Sequence, residues 1–200
     1  MGLRCSDWSI MSIIKAIFFD LDGTLVNTHK ANHAAYYEAI LAVTGVQSDI
    51  ILRQYIADGL SSSEFIPYIV AGATEQQVID INTTKRRVYP DYLHLTERNE
   101  GLASLLRHFS PTMTIGLVTT AKKANARAVL EAHDLLDCFD FCIFGDDVSD
   151  MKPNPEAYLK ALELAKVRAD EAIAFEDSDK GRSAAIAAGI SVINVEEFVL

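Results

Sequence analysis

The stretch from Ile14 to Val26 constrains the fold of this 200-residue chain more than any other feature. It begins as an apolar run rich in isoleucine and phenylalanine, and the run ends abruptly at Asp20, Leu21 and Asp22. A continuous apolar run is typical of a parallel strand that is covered on both faces, and ligands of parallel sheets bind beyond the carboxyl ends of the strands. The sequence therefore predicts a buried strand that leads Asp20 and Asp22 into a binding site.

Asp20 and Asp22 are separated by one residue, so their charges repel each other at neutral pH unless a cation, a proton or hydrogen-bond donors offset them. The pair indicates either a metal site or one ionised acid beside a protonated one. A solvated turn is the alternative, because Asp-Gly is a common turn signal. The two residues alone leave both interpretations open.

Three further apolar runs also end in polar residues. From His94 onward, helical and strand patterns alternate, which predicts a doubly wound α/β arrangement with a parallel sheet. The runs are Met113–Val118 before Thr119 and Thr120, Phe141–Phe144 before Gly145, Asp146, Asp147 and Lys152, and Ala172–Phe175 before Glu176 and Asp177.

Between the opening stretch, which ends at Val26, and the run that begins at Met113, apolar residues recur at helical spacing. Glycines punctuate this region, at Gly45, Gly59 and Gly72, and glycine commonly marks a turn. The pattern predicts a block of helices in front of the alternating region. The predicted helices cover about His33–Val43, Asp49–Ala57, Ser62–Val70 and Glu75–Tyr92.

The four polar clusters, in this order and each after a strand, resemble the four signature motifs of the haloacid dehalogenase superfamily. The resemblance implies a Rossmann-like core formed by residues 12–27 and 94–200, with a small helical cap over residues 28–93 inserted between the two parts. Residues 1–11 are then an N-terminal extension. Similar members of the superfamily include phosphoglycolate phosphatase and β-phosphoglucomutase.

The resemblance also implies the catalytic roles. Asp20 is expected to attack phosphorus and form an aspartyl-phosphate, which divides hydrolysis into two easier steps. Asp22 is expected to protonate the leaving alcohol and then to deprotonate water. Thr119 and Lys152 complete the catalytic set. The phosphate-binding residues implied in the same way are Gly23, Thr119, Thr120 and Lys152.

A Mg²⁺ site is a further implication of the resemblance. Glu176 and Asp177 are hard oxygen donors of the kind that Mg²⁺ prefers. They would complete the metal site with the carboxylate of Asp20 and the main-chain carbonyl of Asp22. An alternative is that this acidic segment only caps the helix that begins near Lys180.

The substrate in such proteins is selected by the cap, and three cap residues are candidates for contacting it. Arg53 could bind a second anionic group, and Gly59 permits a tight turn over the site. Ser61, followed by Ser62, offers a hydroxyl nearby. The alternative is an exposed loop with a surface arginine.

A phosphatase that acts on a small phosphorylated metabolite, such as phosphoglycolate or a sugar phosphate, is the first functional hypothesis. A dehalogenase needs no acid at Asp22, so the motifs favour phosphoryl transfer. A sugar-phosphate mutase is the second hypothesis, but related mutases place a histidine on the first cap helix where this chain has Asn32. A non-catalytic binding protein on the same fold is a third hypothesis.

The net charge of −10 argues against nucleic acid and anionic membranes as partners, because both require basic surfaces. The family resemblance implies a small phosphate ester as the partner. No apolar run approaches about 18 residues, which predicts a cytoplasmic location without a membrane span. The three cysteines have no spacing that indicates a disulfide framework or a zinc site.

Overall fold

The computed structural model describes residues 13–47, Leu52 and residues 60–196. Within them a five-stranded parallel sheet is combined with seven α-helices, which confirms the predicted α/β fold. The strands are β1 (Ala16–Phe19), β2 (Val26–Asn27), β3 (Glu97–Arg98), β4 (Thr114–Val118), β5 (Phe141–Ile143), β6 (Ala172–Glu176) and β7 (Ser191–Asn194). The helices are α1 (His29–Thr44), α2 (Ser62–Ile69), α3 (Glu75–Val88), α4 (Glu100–Phe109), α5 (Lys123–Ala132), α6 (Glu156–Ala165) and α7 (Asp179–Ala187).

Strand β1 lies at the centre of the sheet, whose order is β5-β4-β1-β6-β7. Its last residue, Phe19, is in register with Leu117 of β4 and with Phe175 of β6. Because all three strands run in the same direction, the residues that follow them meet at one edge of the sheet. This register builds the candidate site.

The two faces of the sheet are buried in different apolar clusters. Phe19 packs into one cluster with Leu106 of α4 and Leu130 of α5. Phe18 packs into the other with Tyr158 of α6 and Ala184 of α7. Successive side chains of a strand point to opposite faces, so a strand that is covered on both faces has to be apolar throughout. The burial therefore explains the continuous apolar run of β1.

Strand β1 is shorter than the apolar stretch of the sequence. It ends at Phe19, although Leu21 and Leu25 are also fully buried. These leucines belong to a tight loop, in which the amide of Gly23 donates to the carbonyl of Val26 over 2.9 Å. Gly23 has a φ of 85°, a left-handed conformation that favours glycine. The apolar residues after the two aspartates thus anchor a loop, not a longer strand.

The two chain segments that join the sheet to helices α1–α3 are paired with each other. Val26 and Asn27 of β2 lie antiparallel to Arg98 and Glu97 of β3. The amide of Asn99 also donates to the carbonyl of Leu25 over 2.8 Å. This short ladder is absent from the sequence prediction, since two-residue strands carry no periodic signal.

Helices α1, α2 and α3 share a hydrophobic cluster of their own, separate from the two clusters of the sheet. Helix α1 begins at His29, one turn before the predicted start, and α3 ends at Val88 before a 3₁₀ segment over Tyr89–Leu95 that contains Pro90. The predicted helix over 49–57 lies, apart from Leu52, outside the described residues. The cluster contains Ala39, Ile40, Leu52, Phe65, Ile66, Val70 and Ile81.

Local sequence signals set several helix ends. The Thr74 and Gln77 side chains form a capping box at the start of α3. Gly189, with a φ of 81°, follows α7 as the predicted stop before the last strand. Among the described residues, the structure contains no helix that is long and apolar enough to span a membrane.

Candidate active site

The polar residues that follow β1, β4 and β6 lie together at the carboxyl edge of the sheet. Asp20 follows β1, Thr119 follows β4, and Glu176 is the last residue of β6. The amide of Asp20 donates to the carbonyl of Phe175 over 3.1 Å, so the strand pairing itself fixes the start of the loop. The structure thus brings together the first, second and fourth predicted clusters.

Lys152 of the third cluster enters this site from the segment before α6. It is buried, and its Nζ donates to Asp20 Oδ1 over 2.7 Å, to Glu176 Oε1 over 2.6 Å and to the carbonyl of Val118 over 2.7 Å. An ammonium group has three donors, so this network uses all of them. Lys152 is therefore held rigidly between the ends of the three central strands.

Three acids lie close to one another at this edge of the sheet. Carboxylate oxygens of Asp20, Glu176 and Asp177 all lie within 4.8 Å of one another. Burial raises the pKa of Asp20 well above its ordinary value; Lys152 opposes this rise and the neighbouring carboxylates add to it. Burial also raises the pKa of Asp177. One ammonium is shared by two carboxylates, so the cluster has an excess of acidic groups that a bound cation would offset.

Glu176 carries a second sign of an incomplete site. Its side chain is wholly buried, and Oε2 has no hydrogen-bond partner among the described residues. A buried acceptor without a partner costs about 1–3 kcal/mol. Hard carboxylate oxygens with an unsatisfied member fit a divalent cation such as Mg²⁺. The carboxylate of Asp22 is not part of the cluster, and the expected contact through its main-chain carbonyl stays a prediction.

Helix capping, the alternative interpretation of this acidic segment, is performed by Ser178 and not by Glu176 or Asp177. Ser178 is the N-cap of α7, and its side chain accepts from the amide of Gly181 over 3.1 Å. Asp177 instead accepts from the Thr24 hydroxyl over 2.9 Å. The acids Glu176 and Asp177 thus remain available to the site while the serine caps the helix.

Gly23 is necessary for this arrangement. A Cβ atom built on Gly23 would lie 2.1 Å from Asp177 Oδ2, closer than any real contact. The role of Gly23 in phosphate binding, which the family resemblance implies, stays a prediction. The structure adds that the missing side chain allows Asp177 to approach the loop after β1.

Asp22 lies apart from Lys152 in a second, half-buried hydrogen-bond chain. The Thr28 hydroxyl donates to Asp22 Oδ1 over 2.6 Å, and Asn32 Nδ2 donates to the Thr28 hydroxyl oxygen over 3.1 Å. Lys85 of α3 then donates to Asn32 Oδ1 over 2.7 Å. These hydrogen bonds connect Asp22, the expected general acid and base, to helices α1 and α3.

Lys85 is a member of the site that sequence reasoning missed. It is buried, and its Nζ lies 4.0 Å from the ring centroid of Tyr89 and 5.2 Å from that of Tyr36. Burial lowers its pKa to about 8, against the attraction of Asp22. The one available signal, a lysine at the apolar helical spacing of Ile81 and Val88, is too weak to have identified it.

The remaining predicted residues have simpler surroundings. Thr119 is buried and its hydroxyl oxygen accepts from the amide of Ala121 over 3.0 Å, whereas Thr120 is exposed. Ser61 is the N-cap of α2 and donates to Glu64 Oε2 over 2.6 Å, so its hydroxyl already has a partner. Substrate roles for all three stay predictions. The other two cap candidates, Arg53 and Gly59, lie outside the described residues.

Comparison with known proteins agrees with this geometry. The sequence profile of the haloacid dehalogenase-like hydrolases matches residues 17–195. A phosphorylated carbohydrates phosphatase of Thermotoga maritima is 28% identical over 90% of this chain and 84% of its own length. The structure of CbbY from Rhodobacter sphaeroides in complex with phosphate has a TM-score of 0.81 at 27% identity, over 93% of this chain and 88% of that chain.

A likeness of fold alone links the chain to the β-phosphoglucomutase of Clostridium difficile. That structure has a TM-score of 0.75 at 24% identity, and the match covers 91% of this chain and 84% of that chain.

Proposed function

The chain belongs to the haloacid dehalogenase-like hydrolase family and is a phosphoric monoester hydrolase, and on that premise we propose that it hydrolyses a small phosphorylated metabolite through an aspartyl-phosphate. The observation that carries the proposal is the position of Asp20, which lies at the carboxyl end of the central strand with its Oδ1 2.7 Å from Lys152 Nζ. A carboxylate held in this way is a suitable nucleophile for phosphorus.

Asp20 provides the nucleophile, and the neighbouring residues prepare it. Lys152 fixes the position of Oδ1 and supplies positive charge for the phosphate oxygens. The hydroxyl of Thr119 and the amide of Thr120 are proposed as additional donors to the transferred group. Because Lys152 also bonds Glu176 and the carbonyl of Val118, it cannot move far when the phosphate binds.

Asp22 is proposed as the group that gives a proton to the leaving alcohol and later removes one from water. Its Oδ1 accepts from Thr28, which orients the carboxyl group and leaves the other oxygen for the substrate. Asp20 and Asp22 thus differ in environment, one against a buried ammonium and the other against a hydroxyl. Such a difference lets two nearby carboxyl groups take different roles.

Mg²⁺ is the proposed cofactor, supported by the mutual proximity of Asp20, Glu176 and Asp177 and by the unpartnered Glu176 Oε2. When bound, the ion would neutralise charge on the phosphate and on the nucleophile. Thr24 holds Asp177 in place through its hydroxyl, and Lys152 holds Glu176.

Helices α1–α3 are proposed to form the cap over the site. They supply Asn32 and Lys85 to the chain of hydrogen bonds that ends at Asp22. Lys180 of the core also lies 3.6 Å from Glu64 at the start of α2. A cap in this position restricts the substrate to small molecules and excludes bulk water. A cytoplasmic location and the absence of nucleic-acid partners stay predictions from the sequence.

Hydrolysis is favoured over mutase activity by Asn32. Its side chain bridges Thr28 and Lys85, so an amide that cannot act as a general acid or base occupies the position where related mutases have a histidine. Incubation with β-glucose 1-phosphate and a trace of the 1,6-bisphosphate separates the two activities. We expect release of inorganic phosphate. Efficient formation of glucose 6-phosphate with little free phosphate would support the mutase instead.

The covalent mechanism is tested with Asp20→Asn, because an amide of similar size cannot act as the nucleophile. A panel of phosphate esters, including phosphoglycolate and p-nitrophenyl phosphate, is assayed with and without Mg²⁺, and intact mass detects the phosphorylated enzyme. We expect turnover to fall by at least about 10³-fold while the thermal midpoint does not fall, since one of several crowded acids is removed.

Asp134→Asn is the matched control, because Asp134 is exposed and its φ of 54° suits asparagine. It should retain full activity. Near-normal turnover of Asp20→Asn, or full activity of the unsubstituted enzyme after exhaustive chelation, would contradict the proposal.

A further inference from the structure

Tyr158 contacts Glu176 of the candidate active site, although the predicted chemistry gives this tyrosine no role. It lies on α6 and is wholly buried, with its ring centroid 6.4 Å from that of Phe18. Its hydroxyl donates to Glu176 Oε1. The Nζ of Lys152 lies 5.3 Å from the centre of the same ring. Tyr158 therefore touches both Glu176 and the lysine that holds Asp20.

The two oxygens of Glu176 have different surroundings. Oε1 accepts hydrogen bonds from both Lys152 and Tyr158, which occupy its two lone pairs. Oε2 accepts none from the described residues, although it is buried. The donors thus engage one oxygen of the carboxylate and leave the other for a ligand.

Helix α7 restricts the carboxylate from the other side. A Cβ atom built on Gly181 would lie 1.9 Å from Glu176 Oε2 and 2.2 Å from its carboxyl carbon. The carboxylate is therefore packed directly against the backbone of α7. Helix α7 limits movement of the carboxylate towards its own backbone, and the second donor to Oε1, the Tyr158 hydroxyl, restrains rotation about the hydrogen bond from Lys152.

We propose that Tyr158 is a positioning residue for the metal site, whose hydroxyl holds Glu176 by Oε1 and keeps Oε2 available to a divalent cation. The inference rests on the proposed function, which places that cation among Asp20, Glu176 and Asp177. Tyr158 touches neither substrate nor metal and acts only through Glu176. A hydrogen-bond partner that orients a metal ligand typically changes metal affinity by about 10- to 100-fold.

The test is Tyr158→Phe, which keeps the buried ring and removes only the hydroxyl. Mn²⁺ binding is measured by electron paramagnetic resonance, and Mg²⁺ affinity by competition. We expect both dissociation constants to rise about tenfold, while kcat at saturating metal stays within about threefold of the unsubstituted enzyme. The thermal midpoint without metal reports separately on packing and should change little.

Tyr92→Phe is the matched control, because it also removes a tyrosine hydroxyl from a glutamate. Tyr92 donates to Glu38 Oε2 over 2.6 Å, in an exposed contact away from the metal cluster. Its metal affinity should equal that of the unsubstituted protein. A tenfold loss there would show that the effect is not specific to Tyr158 and would overturn the inference.

Since Tyr158→Phe could fail to fold, a second variant carries p-aminophenylalanine at position 158, which keeps the ring and a donor. Its metal dissociation constant should lie within about threefold of the unsubstituted value, and a tenfold loss would contradict the inference. Unchanged Mn²⁺ affinity in Tyr158→Phe would overturn the role of Tyr158 alone. Absence of Mn²⁺ binding in the unsubstituted protein would instead contradict the proposed function.

Discussion

Lys152 and Lys85 are both buried, yet their surroundings move their pKa values in opposite directions. Burial disfavours the charge of Lys152, but the carboxylates of Asp20 and Glu176 outweigh that effect and raise its pKa to about 12. Burial lowers the pKa of Lys85 to about 8, and the hydrogen bond to the neutral amide of Asn32 brings no negative charge to offset that effect. Burial is thus common to both lysines, and the charge of the directly bound oxygen decides the direction of the shift.

Lys152 and Lys85 thus provide two different kinds of positive charge in the proposed site. Lys152 remains charged at every physiological pH and can stabilise the phosphate permanently. Lys85 changes protonation near pH 8, and hydrogen bonds through Asn32 and Thr28 connect it to Asp22. The core therefore holds a fixed charge, and the inserted helices hold one that can respond to its surroundings.

Of the changes that test this comparison of the two lysines, Lys152→Met should have the largest effect, because it removes the fixed charge. Asp20 and Glu176 would lose the cation they share, and breaking a buried ion pair costs about 3–5 kcal/mol. Turnover should fall by about 10²- to 10³-fold, since positive charge that stabilises the phosphate oxygens is also lost. Urea unfolding and steady-state kinetics measure the two effects.

Lys160→Met is the control for that substitution, because Lys160 lies on α6 with a 42% exposed side chain and pairs with Glu156 over 2.7 Å. An exposed pair is worth less than about 1 kcal/mol. Equal losses of stability in the two variants would show that the buried network has no special importance.

A smaller effect of opposite sign is expected at Lys85. Its pKa is lowered from 10.5 to about 8, so the folded state disfavours the charged form and stability should rise between pH 8 and 10.5 as the unfolded chain binds the extra proton. The whole gain is about 3 kcal/mol. It is obtained by urea unfolding at pH 7 and pH 10.5, as the difference between the unsubstituted protein and Lys85→Met.

For Lys152 the sign is reversed, since its raised pKa gives stability that is complete below pH 10.5 and lost towards about pH 12.

Lys30→Met is the control for Lys85, because the exposed Lys30 lies on α1 and its pair with Glu97 spans 3.1 Å. Parallel pH curves for the unsubstituted protein and Lys85→Met would refute the assigned environment.

The smallest effect is expected from Asn32→Asp, which makes the partner of Lys85 resemble that of Lys152. A carboxylate at the same 2.7 Å contact should raise the pKa of Lys85 by about 1–3 units and remove the gain in stability above pH 8. The same unfolding curves measure it. The double variant Asn32→Asp with Lys85→Met should show no such shift, and a shift without the lysine would point to another titrating group.

The placement of Asp20, Thr119 and Glu176 at one edge of the sheet could be predicted, because these residues lie at the ends of strands, whereas their roles stay predictions. A parallel sheet brings the residues after β1, β4 and β6 together whatever the intervening chain does, so Asp20, Thr119 and Glu176 could be located from apolar runs alone. The family resemblance then supplied their roles.

The contacts of Lys85, Asn32 and Tyr158 could not be predicted in the same way. Lys85 and Asn32 are 53 residues apart and meet only because α1 packs against α3. In the sequence, Tyr158 occupies an ordinary apolar position of an amphipathic helix. Its hydroxyl reaches Glu176 only because α6 packs against a face of the sheet in the tertiary structure. Helix packing decides such contacts, and hydrophobic periodicity does not encode them.

The pairing of β2 with β3 gives the molecule a modular construction. Val26 and Arg98 are directly opposed, so the chain leaves and re-enters the sheet domain at points separated by one strand spacing of about 5 Å. A two-residue turn is enough to join antiparallel strands at that distance. The segment between those points can consequently be lengthened, shortened or exchanged during evolution without moving a strand of the sheet or the position of Asp20.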